Sequence, residues 1–383
     1  MAHFRQIDIK CLVDALLNPN ERFNSLKGVE VLVDSDGIPN FYVGNNSIVA
    51  KVSYQGSLHA LKCYENSSDE FKSALQLINT YVSQQDQNYL FCTKLLLNEF
   101  RVFDSTDREH LLSVELYPWI EGVSLTQYVA ESVYYGEYSN ITSVLDSLIE
   151  LATWLIEQEF SHGDIKCDNI IVTNDGNLKL VDFNNIYIPS LLKSPTSEVG
   201  TQGYRHYMRD VYYYNNHLDD FPLLVIIATL MVAEKSLTFY NSHNNGDFLM
   251  FNSDKLHLGS CEVYNNAKAF FRGSIVEREF FALLESPTPQ VANLYDWLHN
   301  LKMWRERPST RVEDLFFDQQ KEKYGLCDKD GRILLPALCD IINDFNNNLI
   351  ALSVNNIWGV VDRDLNQIKP FDMEYVSDVK EGA

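Results

Sequence analysis

Two short segments carry residues whose types and spacing suit phosphoryl transfer. The segment HGDIKCDN, residues 162–169, contains Asp164, Lys166 and Asn169, and Asp182 follows later in LKLVDF. A carboxylate such as Asp164 can orient an attacking hydroxyl and accept its proton, and Lys166 can neutralise charge on the transferred group. The amide oxygen of Asn169 and the carboxylate of Asp182 are oxygen ligands of the kind that magnesium prefers. We therefore predict that Asp164 and Lys166 are catalytic and that Asn169 and Asp182 bind Mg²⁺.

Regular elements are predicted on both sides of HGDIKCDN. Apolar residues recur at helical spacing from Ser143 to Gln158 ahead of it, and IIVTNDGNLKLVDF behind it forms two short strands around an Asp-Gly turn. The segment is therefore predicted to be a loop, and four matching residue types at this spacing favour a site over an ordinary surface loop. We interpret His162 as a buried histidine that braces the loop through backbone hydrogen bonds.

A lysine on a predicted strand forms a second candidate group. Lys62 lies in HALKCY, well before the loop, which suits a lysine that binds the α and β phosphates of ATP. The alternative is an ordinary exposed strand lysine. With a nucleotide beside Lys62, we expect Val52 and Ala60 to line the adenine pocket from above and Ile171 from below. In isolation these three residues would be assigned to the core.

The elements that must position these residues change in type near Thr126. Before it, an amphipathic helix from Ile9 to Leu17 precedes several strands, a helix over residues 69–84 and a further hairpin. After it, the pattern is mostly helical. The apolar run PLLVIIATLMVA, residues 222–233, is too short to cross a bilayer and is predicted to be a buried helix. The fold class is therefore predicted to be α+β.

The bulk composition excludes several classes of protein. The 383 residues include 31 Lys and Arg against 53 Asp and Glu, so the net charge of −22 disfavours binding to nucleic acid or to an anionic membrane. A basic protein or peptide is an easier partner, although acidic surfaces are common in soluble proteins. Seven scattered cysteines without a CxxC pair argue for a reducing compartment. The start, MAHFRQIDIK, has no apolar run, so we expect no signal peptide and a cytoplasmic location.

The tail contains an internal repeat. YGLCDKDGRILLP begins at Tyr324 and WGVVDRDLNQIKP begins 34 residues later at Trp358, and each reads as an aromatic-Gly pair followed by a short hairpin. The tail is too apolar to be disordered. Because the link DQQKEK after Phe317 is short, we expect the tail to pack on the helical part of the same chain. The matching positions are Gly325/Gly359, Asp328/Asp362 and Pro336/Pro370.

Together these segments resemble the protein kinase superfamily in its bacterial eukaryotic-like branch. The resemblance rests on HALK, HGDIKCDN, VDF, GTQGY and the RPS at residues 307–309, and the tail resembles WG repeats. It implies a bilobal protein-kinase-like fold with a small β-rich C-terminal repeat tail. The implied divisions are a helical extension over residues 1–28, an N-lobe over 29–117, a C-lobe over 118–317 and a WG-repeat tail over 318–383.

The resemblance also implies roles for further residues. The segment VELYPWIEG would connect the lobes, with backbone groups near Glu115 and Tyr117 facing adenine. Thr201 of GTQGY would contact Asp164 and Lys166. Asp219 would brace the catalytic loop from the start of the buried helix. Arg307 would make a structural ion pair, with Asp210 as the candidate partner.

Departures from the family pattern affect the phosphate loop and the partner of Lys62. GNNSIVAKV retains only Gly44, and Asn45, Ser47 and Ala50 stand near the glycine positions, so Gly44 and Ser47 are the predicted phosphate contacts. Only Glu65 and Glu70 lie near the helix start, and we assign Glu70 as the partner of Lys62.

A further departure concerns regulation. Gly163 replaces the arginine that usually precedes the catalytic aspartate, and an arginine there receives the phosphate of a modified activation segment through charge-assisted bonds. Activity is therefore expected not to need phosphorylation at Ser194, Thr196 or Ser197.

The function implied is an ATP- and Mg²⁺-dependent protein serine/threonine kinase acting on a protein substrate, with the tail as a possible surface for a protein partner. One alternative is a pseudokinase scaffold that acts through its WG-repeat tail, which the poor glycine loop favours. Another is a small-molecule kinase of the aminoglycoside or choline type, against which Lys166, GTQGY and the RPS segment argue. The physiological substrate does not follow from the sequence.

Overall fold

A computed structural model describes most of the chain as two compact units. The described residues are 7–44, 47–65, 68–85, 88–193, 199–244, 248–251, 253–308, 310–346 and 348–376. The first unit contains Met1–Leu125 with Asp168–Glu198, and the second contains Thr126–Cys167 with Val199–Ala383. Over these described residues, the fold is mixed α/β with four sheets and a β-rich C-terminal stretch. Within the described part of the chain, no helix has both the length and the apolar character needed to span a membrane.

A six-stranded antiparallel sheet is the centre of the first unit. Its main order is β1-β3-β4-β6-β5, and β2 also pairs with β3. β1 and β2 thus both pair with β3, and the chain between them turns at residues 34–37, where the Gly37 amide donates to the Asp34 carbonyl at 3.1 Å. The strands are β1 (Glu30–Val31), β2 (Phe41–Val43), β3 (Ser47–Tyr54), β4 (Ser57–Tyr64), β5 (Lys94–Phe103) and β6 (Glu109–Pro118).

One face of this sheet packs against the N-terminal helices, and the other carries Lys62. One face, which we call the core face, packs against the N-terminal helices α1 (Ile9–Leu16) and α2 (Pro19–Arg22) and their flanking residues. Phe23 stacks on Phe100 of β5 there, with ring centroids 4.6 Å apart. Because side chains alternate along a strand, Lys62 and its neighbours two residues away project from the opposite face. We call this the lysine face.

Helix α3 (Asp69–Ser83) packs beside the lysine face, as its apolar spacing predicts. Ser68 caps it by accepting from the Phe71 amide. The predicted hairpin after HGDIKCDN is also confirmed: β8 (Ile170–Thr173) pairs with β9 (Leu178–Leu180), and β7 (Gly122–Ser124) extends this sheet to three strands.

The second unit is helical around one buried helix. That helix, α6, contains the run PLLVIIATLMVA, and the whole run is buried as predicted. The helix predicted from Ser143 begins five residues earlier, at Tyr138. The helices are α4 (Leu125–Tyr135), α5 (Tyr138–Ile156), α6 (Asp220–Lys235), α7 (Leu237–His243), α8 (Ser253–His257), α9 (Glu262–Ala267), α10 (Ile275–Ala282) and α11 (Leu294–Glu306).

The tail forms two further antiparallel sheets in the second unit, and its first strand begins at Asp314. The two repeats are built alike. In each, an aspartate, Asp328 or Asp362, accepts bonds from the amides two and four residues on and closes the turn between two strands. The strands are β10 (Asp314–Asp318), β11 (Lys323–Cys327), β12 (Ile333–Cys339), β13 (Ile341–Asn346), β14 (Leu349–Val354), β15 (Ile357–Asp362) and β16 (Gln367–Met373).

The glycine of each repeat lies under an aromatic ring. A Cβ atom added to Gly359 would lie 2.5 Å from Cγ of Phe371, and one added to Gly325 would meet the ring of Phe316. Such separations are far below van der Waals contact, so only glycine lets the ring lie flat on the strand. The glycine of the Trp-Gly pair is therefore a packing requirement.

The tail packs on the helices of its own chain, as expected. Arg278 of α10 donates to the Phe371 carbonyl at 3.3 Å, and its guanidinium lies 5.0 Å from the centre of the Phe371 ring. Asn355 donates to Glu279 of the same helix at 2.8 Å. Leu334 of β12, an apolar residue of the tail, is buried as well.

Gly359→Ala should destabilise the protein by about 1–3 kcal/mol, the usual cost of forcing an extra methyl into a packed core. Thermal or urea unfolding of the full chain measures it. Gly273→Ala is the matched control, because a Cβ there meets nothing within 4 Å and its backbone lies outside the left-handed region. Equal stability of the Gly359 variant and wild type would contradict the packing requirement.

Candidate functional site

In the first unit, the predicted phosphate lysine and the predicted metal ligand meet directly. Lys62 Nζ lies 2.5 Å from Asp182 Oδ1, although the two residues are 120 positions apart in sequence. The Lys62 side chain is only 4% exposed, whereas that of Asp182 is 39% exposed. An ammonium removed from water to that extent needs a counter-charge, and Asp182 supplies one.

Asp182 and Asn169 lie at the same end of the β8–β9 hairpin. The Val181 amide donates to the Asn169 carbonyl at 3.0 Å, which fixes the segment before Asp182. Asp182 itself has φ of 70°, a left-handed conformation that non-glycine residues seldom adopt without a local constraint. Among the described residues no cluster of three or more His, Cys, Asp or Glu side chains could hold a metal. Two protein oxygens nevertheless suit Mg²⁺, which usually completes its shell with water and substrate phosphates.

A buried carboxylate, Glu115, lies beside Lys62 on the lysine face. The two residues are directly opposite each other in the β4–β6 pair, and the Tyr64 hydroxyl donates to Glu115 Oε2 at 2.5 Å. Burial raises the pKa of the Glu115 carboxyl, and the nearby Lys62 charge and the Tyr64 hydrogen bond oppose that rise. Burial and the Glu115 charge raise the pKa of Tyr64, so the phenol remains a donor.

The expected backbone role of Glu115 needs correction. Glu115 pairs with Lys62 on one side and with Leu95 on the other, so its backbone lies within the sheet and is not at a strand end. Tyr117 lies one residue beyond the last pair that β6 makes with β5, at Leu116. Its ring stacks on Phe91 with centroids 5.0 Å apart.

The assignment of Glu70 as the partner of Lys62 is wrong. Glu70 is 90% exposed, and its nearest cation is Lys193 at 4.0 Å. One helical position rotates a side chain by about 100°, and the next residue, Phe71, takes the buried position with its ring 5.5 Å from that of Tyr64. Helix α3 therefore presents an aromatic ring to the sheet where a carboxylate was expected.

Val52 was also placed on the wrong face. It pairs with His59 and belongs to the core-face cluster. Val49, which pairs with Lys62, is the β3 valine on the lysine face. The predicted pairing of β3 with β4 was wrong by one residue, and a shift of one residue moves a side chain to the other face of a sheet.

The remaining predicted nucleotide contacts lie in the first unit. Ala60 lies two residues before Lys62 on the lysine face and is buried, and Ile171 is half-buried in β8. Gly44 donates its amide to the Ser47 carbonyl at 2.8 Å in the turn between β2 and β3. Asn45, in the same predicted phosphate loop, lies outside the described residues.

In the second unit, Asp164 lies among the groups that the sequence assigned to it. The Thr201 amide and hydroxyl both donate to Asp164 Oδ1, at 2.8 and 2.9 Å. Lys166 Nζ lies 3.6 Å from the other carboxylate oxygen. This is a carboxylate with a hydroxyl on one oxygen and a cation beside the other.

A buried carboxylate holds the backbone of this loop. Asp219, at the start of α6, accepts from the amides of His162 at 2.5 Å and Gly163 at 2.9 Å, so its predicted bracing role is confirmed. His162 is fully buried and its Nδ1 accepts from the Asp164 amide at 3.3 Å, which confirms the bracing histidine. Burial raises the pKa of Asp219, and the hydrogen bonds from the Gly163 and His162 amides oppose the rise.

Arg209 is a bracing residue that the sequence reasoning missed. Its Nη2 donates to the Gly163 carbonyl at 2.6 Å and its Nη1 to the Leu218 carbonyl at 3.3 Å. The side chain is buried, and burial lowers the pKa of the guanidinium while the charge of Asp219 raises it. A lone arginine in the polar stretch HYMRD offered no sequence signal for this role.

The expected ion pair of Arg307 with Asp210 is not found in the part of the chain that the structure describes. Arg307 instead lies 3.6 Å from the centre of the Trp304 ring and donates to the Trp304 carbonyl at 2.6 Å. Arg305 makes the bidentate ion pair, with Glu234 at 2.7 and 2.8 Å. The activation-segment positions Ser194, Thr196 and Ser197 lie outside the described residues.

One family comparison bears on the tail. Residues 324–356 match the family described as WG containing repeat. The match begins at the first aromatic-Gly pair, extends from β11 to the end of β14, and stops two residues before Trp358. The tail is therefore similar to WG-repeat proteins, in agreement with the 34-residue period.

Arg209→Met should lower the free energy of unfolding by about 1–3 kcal/mol, because the Gly163 and Leu218 carbonyls lose buried donors. Urea unfolding measures the loss. Arg272→Met is the control, since Arg272 is exposed and such surface substitutions usually change little. If both variants unfold like wild type, Arg209 does not brace the loop.

Proposed function

We propose that this chain is an ATP- and Mg²⁺-dependent protein kinase that transfers the γ-phosphoryl group to Ser or Thr of a protein. The observation that carries the proposal is the 2.5 Å ion pair of Lys62 with Asp182. These residues were selected from separate motifs as phosphate and metal ligands. Lys62 and Asp182 are both predicted to bind one nucleotide, and they are in contact although 120 positions separate them in sequence. This contact favours a common site over coincidence.

Each residue would have a distinct role. Asp164 would accept the proton of the attacking hydroxyl, a function supported by the Thr201 hydroxyl that already donates to it at 2.9 Å. Lys166, 3.6 Å from Asp164, would neutralise charge on the transferred group. Asp182 and Asn169 would hold Mg²⁺, which when bound offsets the negative charge of the phosphates. Lys62 would bind the α and β phosphates.

A second candidate is a nucleotide-binding scaffold without transfer activity. The exposure of Glu70 and the single glycine of the phosphate loop support it, because the usual helix carboxylate is missing beside Lys62. A small-molecule kinase is a third candidate, and the Thr201–Asp164 contact favours a protein hydroxyl over it. Incubation with labelled ATP and Mg²⁺ separates the three: label on protein, nucleotide binding without transfer, or label on a small molecule only.

Asp164→Ala should lower the transfer rate by about 10²–10⁴-fold, the usual contribution of a positioned general base, and should retain binding of Mg-ATP. Asp182→Ala should lose both transfer and the effect of Mg²⁺ on nucleotide affinity. Labelled-ATP transfer to casein and fluorescent-nucleotide titration measure the two properties. Wild-type turnover by the Asp164 variant would remove Asp164 from the reaction.

Phosphatase treatment should leave the activity nearly unchanged. Position 163 is a glycine with φ of 82°, so it has no side chain to bind a phosphate, and the Arg209 guanidinium already occupies its carbonyl. The rate before and after treatment is compared, with mass spectrometry confirming that phosphate was removed. A large loss that rephosphorylation restores would contradict this expectation.

A further inference from the structure

Two carboxylates lie near one buried ammonium on the lysine face. Lys62 contacts Asp182 at 2.5 Å, and Glu115 lies directly opposite Lys62 on the neighbouring strand. Residues directly opposite in an antiparallel pair project from the same face with Cβ atoms about 4.5–5.5 Å apart. The charge of Lys62 consequently acts on Glu115 as well as on Asp182. Lys62 therefore has two carboxylates near it, and only Asp182 is a predicted metal ligand.

The position of Glu115 is fixed by its surroundings. The Tyr64 hydroxyl donates to it at 2.5 Å, and Tyr64 is itself buried with the edge of the Phe71 ring against it. The Lys62 ammonium lies 5.3 Å from the centre of the Tyr64 ring, within the range of a cation–π contact. Tyr64, Glu115 and Lys62 therefore form a compact group whose members restrict one another.

Helix α3 cannot supply the same carboxylate. Its first turn presents Phe71 to Tyr64, while Glu70 is exposed. An exposed glutamate contributes little to the orientation of a buried ammonium, because solvent screens the pair and the side chain stays mobile. In the described part of the first unit, Glu115 is the carboxylate whose strand register faces Lys62 from within the sheet.

We propose that Glu115, oriented by Tyr64, is the positioning residue that holds the Lys62 ammonium for the nucleotide phosphates. This inference rests on the proposed function, since it assigns the helper of a residue in that site. The physical reason is that a cation bound at Asp182 would compete with Lys62 for the charge of the same carboxylate. A carboxylate that stays in the sheet keeps Lys62 extended along the lysine face when Asp182 is occupied elsewhere.

Binding of Mg-ATP to the full chain tests the inference without reference to turnover. Glu115→Gln keeps the shape and removes the charge, so its dissociation constant in a fluorescent-nucleotide titration should rise about tenfold, the size expected for one charge-assisted contact. Tyr64→Phe should give a smaller rise in the same direction. Glu109→Gln, an exposed glutamate on the same strand paired with Arg101, is the matched control and should bind as wild type does.

A double variant distinguishes positioning from general damage to the fold. If Glu115 acts through Lys62, then adding Glu115→Gln to Lys62→Met should weaken binding no further. Multiplication of the two single effects would overturn the inference, because Glu115 would then act independently of Lys62. Unchanged binding by Glu115→Gln would overturn it as well, whatever the effect of Tyr64→Phe.

The outcome also separates this inference from the function on which it rests. A wild-type chain that binds no Mg-ATP would overturn both together. A wild-type chain that binds Mg-ATP, beside a Glu115→Gln variant that binds equally well, would overturn only the role of Glu115. Weakened binding by Glu70→Gln alone would return that role to helix α3.

Discussion

The buried ammonium of Lys62 is the constraint on which the candidate nucleotide site depends. A lysine with 4% of its side chain exposed needs a counter-charge and hydrogen-bond partners, because burying an unpaired charge is costly. Asp182 meets that need from a segment 120 residues away, so the ion pair ties the end of the β8–β9 hairpin to strand β4 within one unit. The site and the stability of the sheet therefore share the same interaction.

The backbone groups of the Asp164 loop also need hydrogen-bond partners. A loop that turns through Gly163 at φ of 82° exposes amides on one side and a carbonyl on the other. Asp219 accepts from two of these amides and Arg209 donates to the carbonyl, so buried backbone groups find partners that no regular element provides. The two bracing residues carry opposite charges and stabilise each other across the loop.

Local sequence patterns predicted many of the elements and site residues, but they did not predict the features that depend on long-range contacts. Apolar spacing was sufficient for α3 and α6, and residue type and spacing selected Asp164, Asp182 and Lys62. The placement of Val52 failed because it required the register of β3 against β4. Val52 pairs with His59 and not with Ala60, and this difference of one residue places Val52 on the other face of the sheet. Glu115 and Arg209 carry no local signal, since their roles arise from a cross-strand pair and from a carbonyl 46 positions away.

The charge balance of the lysine face bears on which ligands it would bind. Two carboxylates, Asp182 and Glu115, lie near the single ammonium of Lys62, and burial raises the pKa of Glu115 while the Lys62 charge opposes that rise. A nucleotide without metal would add further negative charge to this face, whereas a divalent cation at Asp182 would offset it. Because Lys62 alone would not balance two carboxylates and a polyphosphate, a nucleotide at this face would bind more favourably together with Mg²⁺ than without it.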